Sequence, residues 1–174
     1  MSTDFEPGPL ADASVVGAGE RWTLIFVRAL PHPPEKVWAA LTDPGRLDRW
    51  APFAAARDLS LVGETTLTMV DGPDRTDLPA TVLRAEAPAL LEYTWGDDLL
   101  RWELEPMDDG TPLTLRHTLR TPDVEDQVAA GWHICFDQLD EVAGGRPVAA
   151  IRGHDAMDHG WEDLRARYAA KFSR

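Results

Sequence analysis

From Arg57 to Arg120 the chain keeps a two-residue rhythm, and directly afterwards it drops it. Leu100, Trp102 and Leu104 alternate with Arg101, Glu103 and Glu105, and Leu113, Leu115, His117 and Leu119 alternate with Thr114, Arg116, Thr118 and Arg120. Successive strand side chains point to opposite faces, so these runs are strands covered on one face and wet on the other. The runs LVGETTLTMV, ATVLRAEA, LLEYTW, LLRWELE and PLTLRHTLR are divided by Pro88, Gly96-Asp97-Asp98 and Asp108-Asp109-Gly110, breakers suited to hairpins. An antiparallel meander with one apolar face needs a second layer. The next segment supplies it. Between Asp123 and Gly144, the residues Val124, Val128, Trp132, Cys135, Phe136, Leu139 and Val142 recur at steps of three and four. That is one stripe on a helix roughly 30 Å long at about 1.5 Å per residue.

The segment before the meander is patterned differently. RWTLIFVRAL, Arg21 to Leu30, is rich in β-branched and aromatic residues and reads as a strand that Pro31 ends. Pro33-Pro34 opens a helix carrying Val37, Trp38 and Leu41 on its apolar side. Asp43 can cap a second helix with Pro44 at its first position; that helix shows Leu47 and Trp50, and Pro52 stops it. Residues 1–19 are small and rich in Gly and Pro, which predicts a flexible arm. Residues 20–145 hold the domain. Residues 146–174 form an extension, irregular to about 160 and then carrying a weaker stripe of Trp161, Leu164, Tyr168 and Phe172.

Composition removes several classes of function. The chain of 174 residues is long enough to bury one core. With 17 Lys and Arg against 30 Asp and Glu, its net charge is −13. Such a surface repels nucleic acid and anionic membranes, which need clustered cations. Cys135 is the single cysteine, so the chain can build neither a disulfide framework nor a Cys-rich zinc site. The start carries Asp4 and Glu6 before any basic residue and lacks an apolar core, unlike a signal peptide. These features together predict a cytoplasmic setting.

The order of elements and several separated motifs carry a resemblance. VWAALTDP followed by Leu47 and Trp50, LEYTW before the Gly96 turn, and AAGWHICFDQL on the long helix resemble the START / birch-pollen-allergen-like (SRPBCC) superfamily. Within it they look like the branch of the activator of heat-shock-protein-90 ATPase. The resemblance covers about residues 20 to 145. It implies an α+β helix-grip fold: a curved antiparallel sheet of about six to seven strands wraps a long C-terminal helix, and two short helices close one end. It also implies a cavity between sheet and helix, in a superfamily whose members bind lipids, hormones and polyketides, cyclise substrates or assist chaperones. The eukaryotic activator has a further N-terminal domain that stimulates the chaperone, for which this chain leaves no room. No catalytic residue carries over from the resemblance.

The expected ligand contacts are Trp50 and Phe53 at the closed end, with Met69, Tyr93, Trp95, Trp102, His117, Trp132 and Phe136 along the walls. A mostly apolar wall with a few convergent polar groups suits a hydrophobic or aromatic small molecule. The polar groups would be the Tyr93 hydroxyl, the Trp95 and Trp102 indoles and the His117 imidazole. Large aromatics equally fill cores, so packing is the competing reading for each. His117 sits among leucines, where it is either a ligand-orienting or acid/base group or a buried neutral histidine with a bonded neighbour. His133 is placed about 100° from Trp132, at the cavity rim or in solvent. Cys135 reads as a small buried hydrophobe. His154, Asp155, Asp158 and His159 match no metal spacing, and Glu103 and Glu105 read as solvated partners of Arg101 and Arg116. No cofactor motif, P-loop or nucleophile set is present, so the leading reading is a binding protein without cofactor or metal. An enzyme of cyclase or dehydratase type using His117 and Tyr93 is one alternative. A chaperone-accessory or regulatory module, with a homodimer as its candidate assembly, is another.

Overall fold

The computed structural model describes residues 10–18, 21–71, 73–107, 110–121 and 123–173, the side chains of 18, 153 and 154 excepted. The described strands form one antiparallel sheet: β1 (Asp12–Ala18), β2 (Arg21–Leu30), β3 (Phe53–Ala55), β4 (Gly63–Asp71), β5 (Asp74–Glu86), β6 (Leu90–Trp95), β7 (Asp98–Leu104) and β8 (Thr111–Leu119). Their spatial order is β1-β2-β8-β7-β6-β5-β4-β3, so the sheet is open, with β1 and β3 as its edges. Two short helices, α1 (Pro34–Thr42) and α2 (Pro44–Leu47), interrupt it after β2. The long helix α3 (Glu125–Ala143) follows β8, and a 3-10 segment (Gly153–His159) leads into α4 (Trp161–Phe172). This is the helix-grip arrangement, with the α3 stripe laid on the covered face of the sheet.

Local chemistry explains the short helices. Pro33 precedes α1, and Pro44 opens α2 where a missing N–H costs nothing. Asp43 caps α2 by accepting a hydrogen bond from the Arg46 N–H at 3.1 Å. The second helix ends at Leu47 rather than reaching Trp50. Beyond it the chain continues as turns, with the Arg49 and Trp50 amides donating three residues back.

Eight strands exceed the expected six to seven, and the additions are at the edges. Residues 12–18, expected to be part of a flexible arm, pair along β2 as the edge strand β1. Its alanine, serine and glycine content hides it in the sequence, because such residues carry little β-propensity of their own. Cross-strand packing compensates: Trp22 lies over Gly17, where a Cβ would come within 2.4 Å of the ring. The other addition is β3, three residues after Pro52 that pair with Leu67 to Met69 of β4.

The core lies between the sheet and α3. Leu24, Phe26, Leu100, Trp102, Leu113 and Leu115 come from the sheet, and Trp132, Phe136 and Leu139 from the helix; all are buried. Phe26 meets Phe136 edge-on at 4.6 Å between ring centroids. On the wet face Glu103 joins Arg101 and Arg116 at 3.3 and 2.8 Å. No helix among the described residues is long and apolar enough to cross a membrane.

Candidate functional site

Between sheet and α3 the core opens into a cavity of about 600 Å³. One wall is α3, through Val128, Gly131, Trp132, Ile134 and Cys135. The facing wall is the sheet, through Met69, Trp95, Asp98 and His117. The β4–β5 hairpin contributes Asp71, Asp74 and Thr76 at the mouth. A third wall comes from the C-terminal extension: Ile151, Arg152, Ala156, Met157 and Trp161.

The nine expected contact residues divide cleanly. Met69, Trp95, His117 and Trp132 line the cavity. Trp50, Phe53, Tyr93, Trp102 and Phe136 do not; each is at most 1% exposed and belongs to the packed core. Their polar ends are satisfied within that core. The Trp50 indole donates to the Ala40 carbonyl at 2.7 Å, and the Trp102 indole to the Tyr93 hydroxyl at 3.1 Å. Trp50 packs edge-on against Trp102 at 5.8 Å, and Phe53 against Tyr93 and Trp95 at 6.2 and 5.1 Å. The closed end of the grip is therefore solid rather than part of the cavity. Burial pushes the Tyr93 hydroxyl far up, against a smaller lowering by the Trp102 hydrogen bond. That phenol stays protonated and stands away from the cavity, so it does not form an acid/base pair with His117 there.

His117 is buried on the cavity wall, and both ring nitrogens are taken. The Trp132 indole N–H donates to Nδ1 at 3.0 Å, and Nε2 lies 2.7 Å from Asp98 Oδ2. An indole nitrogen can only donate, so Nδ1 must accept and the hydrogen must sit on Nε2, donating to Asp98. Asp98 Oδ1 accepts a further hydrogen bond from the Arg120 backbone N–H at 3.1 Å. Burial works to raise the Asp98 carboxyl, but the His117 and Arg120 hydrogen bonds, with attraction from Arg21, outweigh it and hold the group below its ordinary 3.8. Trp95 stacks beside this chain, 5.9 Å from the His117 ring and 6.2 Å from Trp132. Its own buried indole N–H has no hydrogen-bond partner among the described residues.

Cys135 faces the cavity from α3, 5% exposed, and burial pushes its thiol up to about 12 against a smaller lowering by Arg152. It is a small apolar wall group, not a nucleophile.

Sequence patterning does not reveal the third wall. Arg152 fixes it: Nε donates to the Ala51 carbonyl at 2.8 Å, Nη2 to the Phe53 carbonyl at 3.1 Å, and Nη1 to Asp48 at 3.3 Å. The extension is thereby tied to the loop between α2 and β3. A second tie involves His133, which is buried, not at the rim or in solvent. A step of 100° from Trp132 carries it under α4 instead of outward, because α4 packs on that flank. Its Nδ1 lies 2.8 Å from the Tyr168 hydroxyl, which also accepts the Ala11 backbone N–H at 3.0 Å. The signals for this docking were in the sequence as the α4 stripe, of which Leu164 and Tyr168 are buried. Of the discounted metal set, His154 has a side chain outside the described residues. Among the described residues no group of three or more His, Cys, Asp or Glu is arranged to hold a metal ion.

Residues 31–144 match the family described as activator of Hsp90 ATPase homolog 1-like protein. The chain belongs to this family. Solved structures of similar fold include CalU16 from Micromonospora echinospora, 21% identical, covering 98% of this chain and 97% of that one with a TM-score of 0.68. A conserved protein of unknown function from Enterococcus faecalis is 16% identical over 92% of this chain and 90% of its own, also at 0.68. The AHSA1-like protein from Aeromonas hydrophila is 22% identical over 71% of this chain and 92% of its own, at 0.60. No curated protein matches the chain in sequence. The family match ends at residue 144, so the extension that supplies the third wall lies wholly outside it.

Proposed function

We propose that this AHSA1-like protein is a cytoplasmic binding protein for a hydrophobic or aromatic small molecule, held between the sheet, α3 and the C-terminal extension. The observation that carries this reading is the cavity itself. Its volume of about 600 Å³ lies within the usual range for small-molecule sites, and Trp95, Trp132, Trp161, Met69 and Met157 give it apolar walls. Methionine and tryptophan adapt to flat or irregular apolar ligands without a dedicated hydrogen-bond pattern. Catalysis by His117 has less support, because the imidazole spends both nitrogens on Trp132 and Asp98.

Native mass spectrometry of protein purified without organic solvent, followed by a thermal-shift screen of lipids and aromatic metabolites, tests the reading. A bound or stabilising apolar molecule supports it; saturation near a hundredfold over Kd adds about 2.7 kcal/mol of stability. A clean apo mass with no stabilising compound across the screen overturns it.

A further inference from the structure

The charged groups of the cavity are lopsided. Among the described residues, three carboxylates, Asp71, Asp74 and Asp98, line it against one cation, Arg152. Three of the five Arg152 N–H donors are taken, by two backbone carbonyls and by Asp48, which lies outside the cavity and offsets the charge. Asp98 is differently placed. It is half-buried on the cavity wall and accepts from the Nε2–H of His117 and the backbone N–H of Arg120, with further attraction from His117 and Arg21. A carboxylate offers about four acceptor sites, so two such bonds leave it able to accept more. Beside it stand the rings of Trp95 and Trp132, whose π-faces attract cations.

We propose that the cavity selects apolar molecules bearing a protonated amine, with the ammonium at Asp98 beside Trp95 and Trp132 and the apolar body along α3. The inference rests on the binding function proposed above and names the charge of its ligand. His117 acts here as a positioning residue. Fixed by the Trp132 indole, it donates to Asp98 Oδ2 and, with the Arg120 N–H on Oδ1, holds the carboxylate on the cavity wall. Asp71 and Asp74 at the mouth, with a net charge of −13 over the chain, favour approach of cations and oppose carboxylate ligands. An amine enters by exchanging its hydration for one carboxylate and two aromatic faces, and no bond is made or broken.

A matched series of probes tests this on the full chain near neutral pH: naphthylethylamine, naphthylethanol and naphthylacetate, titrated by calorimetry. The amine is expected to bind about tenfold more tightly than the alcohol, and the acetate more weakly than either. That advantage should shrink as salt rises from about 0.05 M to about 0.5 M, and should disappear in Asp98→Asn while alcohol binding remains. If Asp98→Asn fails to fold, Asp74→Asn at the exposed mouth serves instead, with a smaller loss of amine preference and unchanged alcohol binding. Equal binding of all three, or preference for the acetate, overturns the charge selection while leaving the binding function standing. Failure of all three to bind overturns both.

Discussion

Asp98, His117 and Trp132 form a chain in which each donor can point only one way, and its strength lies in that constraint. Replacing Trp132 by Phe keeps a ring on α3 but removes the only hydrogen that can satisfy His117 Nδ1. The variant is expected to lose about 1–3 kcal/mol in urea unfolding, and the imidazole nitrogen shifts should show tautomer exchange that the parent protein lacks. Asp98 adds a pH signature. Its carboxyl is held low when folded and returns toward 3.8 when unfolded, so its contribution is complete at neutral pH. That contribution is lost as pH falls below about 4 through the folded value. Asp98→Asn should flatten the acid limb of stability against pH there; an unchanged limb counts against the assignment. Cys135 predicts a rate rather than an energy. With its thiol pushed up to about 12 by burial, it should react with a disulfide reagent near pH 8 far more slowly in the folded than in the unfolded protein, and equal rates would count against the raised thiol. At this scale the sequence is half legible. Alternation puts His117 on the covered face, but its carboxylate partner sits 19 residues earlier, at the end of a turn that reads as solvated polar sequence. For the same reason Trp50, Tyr93 and Trp102 could not be told from cavity residues. Periodicity gives the face a side chain takes, not the depth at which it stops.

Among elements, the most informative junctions are those made by the C-terminal extension. Arg152 is 12% exposed, and its three bonds hold the strap of residues 151–161 over the cavity. Arg152→Ala leaves two buried backbone carbonyls without that partner and should cost about 1–3 kcal/mol. Faster hydrogen exchange confined to residues 146–161 and the loop before β3 would identify the strap as the part released. At the other junction, burial lowers the His133 imidazole from 6.5, opposed by Asp137 and reinforced by Arg28 and Arg167. Tyr168, raised by burial to about 12, remains its neutral partner. A histidine that resists protonation when folded binds more protons unfolded, so stability falls as pH drops from 6.5 through the lower folded value. His133→Gln should reduce that slope below about pH 6.5. Elements of strong period, α3 and the β7–β8 pair, were readable at once. The edge strand β1 was not, because its small residues show little strand pattern until they are seen paired along β2.

For the molecule as a whole, the sheet and α3 make a grip that is open on one side, and the extension closes it. Deleting residues 146–174 removes Leu164 and Tyr168 from the core and uncovers the α3 flank bearing His133. The shortened chain is expected to melt at lower temperature and to bind an apolar dye far more strongly than the intact protein; equal dye binding would mean that the extension is dispensable to the core. The general fold was legible because alternation, stripe and breakers agree with one another over the whole of residues 20–145. The third wall was not, because an irregular segment carries no periodicity to say where it lies.

Because Ile151, Met157 and Trp161 belong to no strand and interrupt no register, they can be exchanged without disturbing the pairing that makes the sheet. The cavity wall is thus drawn from two stretches of the chain, the grip and the extension. The grip is held by its own backbone hydrogen-bond ladder, whereas the closing wall is held by side chains, Arg152 above all. Under the binding function proposed above, substitutions in this tail would alter what the cavity admits while the sheet's pairing stays intact.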